Sequence, residues 1–182
     1  MSRNRTALVA LAALTIFTTL AAVAHAAANP PGDIPDNQAY VSYRGSGYSL
    51  KTPEGWSRRQ AGSTTSFSDK YNSIAVETGR SAKAPTAASV MRTDVARLKA
   101  TQTHFVLVRI SAVTRPAGSV IVVSYRAESA ANPVTGKAIT NDVERYAFWK
   151  AGRRATLTLQ GPRGSDNVDP WKIVTNSFRW AS

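Results

Sequence analysis

Apolar and polar positions alternate along much of the chain after residue 43, and the alternation predicts a protein built mainly of strands. In residues 47–52, Tyr48 and Leu50 alternate with Ser49 and Lys51, a half-buried strand that stops at Pro53-Glu54-Gly55 and delivers Trp56. Residues 63–68 and 73–78 read as a hairpin around the polar turn Asp69-Lys70-Tyr71-Asn72, with Ile74 and Val76 facing one side and Ala75 and Glu77 the other. The period then changes. Residues 86–100 space Ala87, Met91, Val95 and Leu98 at helical intervals, with Arg92, Arg97 and Lys99 off that stripe.

Three long strands are expected over residues 105–112, 119–127 and 142–150, which are rich in Val, Ile and aromatics and are separated by Pro116-Ala117-Gly118 and Asn132-Pro133-Val134-Thr135-Gly136. Lys150-Ala151-Gly152-Arg153 predicts a tight hairpin into residues 154–160, where Ala155, Leu157 and Leu159 alternate with Thr156, Thr158 and Gln160. Asp169 before Pro170 is a candidate helix cap, and Trp171, Val174 and Phe178 share one helical face. The expectation is an α/β (α+β) domain: a mainly antiparallel seven-strand sheet, hairpin-connected, flanked by two helices that leave part of a face or edge uncovered.

The first 26 residues have a different character. Arg3 and Arg5 precede an uncharged run rich in Ala, Leu, Val and Thr, and Ala24-His25-Ala26 has the small-x-small pattern of a signal-peptide exit. An exported protein cleaved near Ala26 is expected, with residues 27–42 as a Pro-rich spacer and residues 43–182 as one domain; an uncleaved anchor is the alternative. Lys plus Arg number 23 against 11 Asp plus Glu, a net charge of +12, so partners with negative surfaces are favoured at long range. The chain has no cysteine, which removes disulfides, thiol nucleophiles and Cys-ligated metals.

Candidate chemistry is sparse. His104 stands at a strand edge with no Gly-x-Ser-x-Gly elbow elsewhere to present a nucleophile. Asp142 and Glu144 share a strand face, as a calcium or acid–base pair requires, but Arg126 and Arg145 are available to neutralise them. Asp166 and Asp169 form a second acidic pair, with Asp169 assigned to capping. Gly45-Ser46-Gly47 precedes a strand rather than a helix, so it reads as a flexible lead-in and not a phosphate loop. Arg58-Arg59 and Arg153-Arg154, each beside a turn, are the candidate basic rim for an anionic partner. Basic residues do not interleave with aromatics on one exposed face, which argues against nucleic acid. No catalytic residue, metal site or cofactor is expected.

The segment Gly47-Tyr48-Ser49-Leu50-Lys51-Thr52-Pro53-Glu54-Gly55-Trp56 resembles the opening signature of PsbP-like domains. Phe67-Ser68-Asp69 with Ile74-Ala75-Val76 resembles that family's next hairpin, and Trp171 to Phe178, ending in Ser-Phe, resembles its closing helix. The resemblance spans residues 43–180 and implies an α/β/α sandwich without enzymatic activity. The best-known members are extrinsic proteins of photosystem II that help retain calcium and chloride. The fold is shared with a nuclear-import factor that binds the GTPase Ran, and members in non-photosynthetic bacteria are commonly exported. The expected function is therefore an exported binding or assembly module that docks on an anionic envelope component or a membrane-protein complex, with peripheral membrane association. A small-molecule or lipid carrier and a photosystem II extrinsic protein are the alternatives.

Overall fold

Gly45 and Gly47 turn the chain before the first long element is complete. In a computed structural model, describing residues 32–131 and 134–181, β1 (Tyr40–Gly45) and β2 (Tyr48–Pro53) form an antiparallel hairpin with Gly45 opposite Tyr48. Gly47 has φ +82, and a Cβ on Gly45 would stand 2.5 Å from the Tyr48 ring. The segment expected as a loose lead-in is thus a tight turn. The predicted signal peptide, residues 27–31 of the predicted spacer, and Asn132-Pro133 lie outside the described residues.

β3 (Ser57–Ala61), β4 (Thr64–Asp69) and β5 (Asn72–Arg80) form a meander whose second turn is the predicted Asp69–Asn72 connection. After the helical segment come β6 (Val106–Arg115), β7 (Gly118–Glu128), β8 (Thr140–Lys150) and β9 (Arg153–Pro162), joined as successive antiparallel neighbours. β9 returns to pair with β5, so the seven-strand sheet has the order β3-β4-β5-β9-β8-β7-β6 and is antiparallel throughout. Its membership differs from the expectation. The strand that carries Tyr48 and Leu50 belongs to a separate three-strand sheet, β1-β2-β10, with β10 at Arg179–Trp180, and its place in the large sheet is taken by β3, whose residues are all exposed.

Both faces of the large sheet are covered in part. One carries Phe67, Ile74, Val76, Val120, Val122, Tyr146, Phe148, Ala155, Leu157 and Leu159, packed against Tyr48 and Leu50 of β2 and Val174 and Phe178 at the C-terminal helix. The other carries Ile121, Val123, Tyr125, Ala127 and Val143 against the first helical segment. The consecutive β7 residues Val120, Ile121, Val122 and Val123 are all buried because successive side chains enter opposite layers. The chain is therefore an α+β sandwich with the sheet as its middle layer.

The helical segment runs as α1 (Ala87–Val90), a π turn (Met91–Val95) and α2 (Ala96–Thr101). Thr86 caps it in a reciprocal box with Ser89. The predicted stripe is corrected here: Ala87 and Met91 are exposed, and the buried positions are Val90, Asp94, Val95 and Leu98. The wider π turn shifts the phase by about one residue, so that both Asp94 and Val95 face the sheet.

The C-terminal helix α3 (Val168–Ser177) begins two residues earlier than its sequence suggests, with Asn167 at the N-cap position. Asp169 is not the cap; it lies exposed in the first turn and pairs with Lys172 at 2.9 Å. The Asn167 side chain turns away from the helix, accepting from the Ile34 amide at 2.9 Å and donating to Asn72 Oδ1 at 3.0 Å and to the Gly32 carbonyl at 3.1 Å. Ile34 is buried, and β1 starts at Tyr40, so residues 32–42 of the expected spacer pack with the domain.

Candidate functional site

The first turns of α3 do not reach down onto β6–β8, and the gap is a groove. Two adjoining hollows of about 280 and 400 Å³ share Arg109, Asp142, Glu144 and Trp171. Strand alternation builds the floor: Arg109 stands opposite Ser124, Arg126 opposite Asp142, and Glu144 and Tyr146 follow Asp142 on the same face. Arg115, Lys172 and the Trp171 indole complete the walls.

Each carboxylate of the floor is already engaged. Asp142 accepts from Arg126 Nε at 3.1 Å, and Glu144 accepts the hydroxyl proton of Tyr146. Arg145, expected beside this pair, points to the opposite face, where it binds Glu77 at 3.2 Å and Thr158 at 3.0 Å. The Arg115 guanidinium lies 5.4 Å from the centre of the Tyr146 ring, a cation–π contact in a partly dry site. Arg115 Nε and Ser124 Oγ are buried without a hydrogen-bond partner among the described residues. The groove thus offers cationic and hydroxyl donors around an aromatic floor.

Burial, together with the Glu144 carboxylate that accepts its hydrogen bond, pushes the Tyr146 phenol up from 10 to about 12, against the lowering influence of Arg115. At neutral pH Tyr146 is a donor and not a base. Below its unfolded value of 10 the phenol is protonated in both states and the full contribution to stability is present; as pH rises toward 12 the unfolded chain ionises first and that contribution is lost. In an alkaline titration of phenolate absorbance, the component near pH 12 should therefore vanish in Tyr146→Phe. A titration curve unchanged by that substitution contradicts the assignment.

The four arginines of the predicted basic rim are not brought together. Alternation sends the members of each pair to opposite faces of the sheet. Arg58 stacks over the Tyr43 ring at 5.6 Å, and Arg153 stacks over Trp180 at 5.1 Å and donates to the Ala181 carbonyl, so both lean on the small sheet. Arg59 is exposed on the edge strand, and Arg154 binds the buried Asp94 at 2.6 Å on the helix side. His104 sits in the turn before β6 with φ +50, largely exposed, and meets Glu128 at 2.8 Å. Asp166 uses its backbone amide to bind Asp33. Among the described residues no group of three or more His, Asp or Glu is placed to hold a metal ion.

Sequence reasoning missed Arg109, Arg115 and Trp171 as groove residues. The signal was present as the same-face series Arg109-Ser111-Val113-Arg115, but its meaning depends on which strand lies beside it.

No protein-family model matches the chain, and no curated protein matches it. Solved structures do. The solution structure of cyanobacterial PsbP (CyanoP) from Synechocystis sp. PCC 6803 is 15% identical, with a TM-score of 0.58 over 84% of this chain and 100% of that one. The Ran-binding protein Mog1p of Saccharomyces cerevisiae is 12% identical, with a TM-score of 0.50 over 78% of this chain and 94% of that one. A protein from Bacteroides thetaiotaomicron VPI-5482 is 10% identical at a TM-score of 0.47, and the match spans only 45% of its length. At 15% identity the likeness to cyanobacterial PsbP establishes the fold alone, a PsbP-like α+β sandwich.

Proposed function

We propose that this chain is an exported, non-enzymatic binding module whose groove between α3 and β6–β8 takes an acidic, extended segment of an envelope protein. The observation that carries the reading is the charge of the groove. Four cations, Arg109, Arg115, Arg126 and Lys172, face two carboxylates that are both engaged within the groove itself; with Arg126 paired to Asp142 and Lys172 to Asp169, Arg109 and Arg115 are left with no ion-pair partner among the described residues. The surplus favours acidic side chains, and Trp171 supplies an aromatic wall against which an apolar residue of the segment can pack. That the structurally similar Mog1p is a Ran-binding protein fits such a module, and the leader-like first 26 residues support export.

The test uses an acidic peptide containing one aromatic residue, titrated by fluorescence anisotropy. Binding should weaken at least tenfold in the Arg109→Glu, Lys172→Glu double variant, and should weaken steeply between about 0.05 M and about 0.5 M salt. Arg109 is exposed and Lys172 is 59% exposed, so neither change threatens folding. Salt-insensitive binding, or equal affinity in the double variant, removes the groove from the reading. Mass spectrometry of the exported form tests the leader separately: a chain that begins just after Ala26 is expected, and one that still carries Met1 to Ala26 contradicts cleavage.

A further inference from the structure

On the opposite face of the large sheet, between the helical segment and strands β5, β8 and β9, lies a second open cavity of about 390 Å³. Its charged lining is Arg80, Arg97, Arg145 and Arg154 against Glu77 and Asp94. We propose that this cavity is a binding site for a small dianionic oxyanion of the phosphate monoester class.

The two carboxylates do not satisfy the four guanidiniums. Asp94, with a side chain only 6% exposed, places one oxygen, Oδ1, 2.6 Å from Arg154 and 3.7 Å from Arg97, while its other oxygen accepts from Thr93 Oγ1 at 3.0 Å. Glu77 is occupied by Arg145 at 3.2 Å. Arg80 has no ion-pair partner among the described residues. Arg145 Nε and Arg154 Nε are buried and make no hydrogen bond among the described residues, although each belongs to a charged group and such a group left short of acceptors is costly. A formal surplus of two positive charges remains in one hollow.

A monoester phosphate carries about −1.5 to −2 at neutral pH and presents three acceptor oxygens, which matches that surplus in both charge and acceptor number. Planar guanidinium forks bind such oxygens in pairs, whereas a single carboxylate would cancel only half of the excess. The site is built on rigid parts. Arg145 and Arg154 project from central strands, and the π turn brings Asp94 inward to hold Arg154 in place. Arg80 and Arg97 stand at the rim, where an entering anion meets them first. This cavity is separate from the groove under α3, and the inference does not depend on that groove being a docking site.

Isothermal titration of the purified chain with inorganic phosphate and with O-phosphoserine, against chloride at matched ionic strength, tests the proposal. Saturable binding of one phosphate per chain is expected, with a dissociation constant on the order of 1 mM or tighter. Arg80→Gln with Arg97→Gln should weaken it at least tenfold without loss of fold, because both side chains are largely exposed. Glu77→Gln should tighten it severalfold by releasing Arg145, and Arg44→Gln, exposed on the small sheet, should leave it unchanged. Absence of saturable heat with either phosphate, equal binding of chloride, or full binding in the Arg80, Arg97 variant overturns the proposal. Stronger binding to O-phosphoserine than to phosphate identifies a monoester as the better ligand; the reverse order restricts the site to the free ion.

Discussion

Truncation of Phe178 to alanine should lower the free energy of unfolding by about 4 kcal/mol, within the range seen for buried phenylalanines. Phe178 is fully buried and lies where all three parts of one face meet. Its ring stacks on Phe148 of the large sheet at 4.2 Å and on Tyr48 of the small sheet at 5.8 Å, and meets Trp180 edge-on at 5.3 Å. A cavity at that point loses contacts in both sheets at once, and the residue ends α3 with Val174 beside it, so little can collapse inward to refill the space. Against a total stability of roughly 5–15 kcal/mol for a domain, the loss is large. Urea denaturation followed by tryptophan fluorescence measures it; a change under about 1 kcal/mol would mean that the two sheets are not joined through this ring.

Asn167→Ala comes second, with an expected loss of about 2–3 kcal/mol from stranded buried polar groups. Asn167 and Asn72 are both buried, and together they hold the Gly32 carbonyl, with Asn72 Nδ2 donating at 2.8 Å. Removal of the Asn167 amide leaves the Ile34 N–H and Asn72 Oδ1 without these partners. Gly161→Ala should act on the same cluster, because a Cβ there would stand 2.5 Å from Asn72 Oδ1 and 2.7 Å from Asn167 Nδ2. Beyond the stability loss, residues 32–38 should become sensitive to limited proteolysis in both variants while the sheet keeps its circular dichroism. Protection equal to that of the unmodified chain would show that Ile34 and not the amide network anchors this segment.

Short-range signals carried much of the fold. The β4–β5 and β8–β9 hairpins stand where turn residues punctuate alternating runs, and Trp171, Val174 and Phe178 lie on or at the end of a helix, as their spacing implies. Two readings went astray for related reasons. Ala87 and Met91 fit an ideal helical stripe, but a π turn rotates them outward and brings Asp94 in. Asp169 has the residue type and position of a cap, yet Asn167 occupies that place and uses its side chain to tie distant segments together. Neither deviation has a local signature, since each is selected by what packs against the helix.

The candidate sites divide in the same way. That Asp142 and Glu144 share a face follows from the period of a strand, and so does the separation of Arg153 from Arg154. That Arg126 neutralises Asp142 was among the readable neighbours, whereas the engagement of Glu144 by Tyr146 depends on side-chain direction.

By its sequence alone this chain determined its two helical regions, its longer strands, the β4–β5 and β8–β9 hairpins, its antiparallel character and its basic charge, because each depends on the residues within one turn or one strand; the short strands β1, β3 and β10 and the β1–β2 turn were not legible there. Only the tertiary structure decided that β2 leaves the large sheet, that Asn72 meets Asn167 across 95 positions, and that Arg80, Arg97, Arg145 and Arg154 enclose one cavity. Alternation states which side chains share a face, but not which strand or helix covers that face. That choice is made by the burial of apolar surface summed over the whole domain.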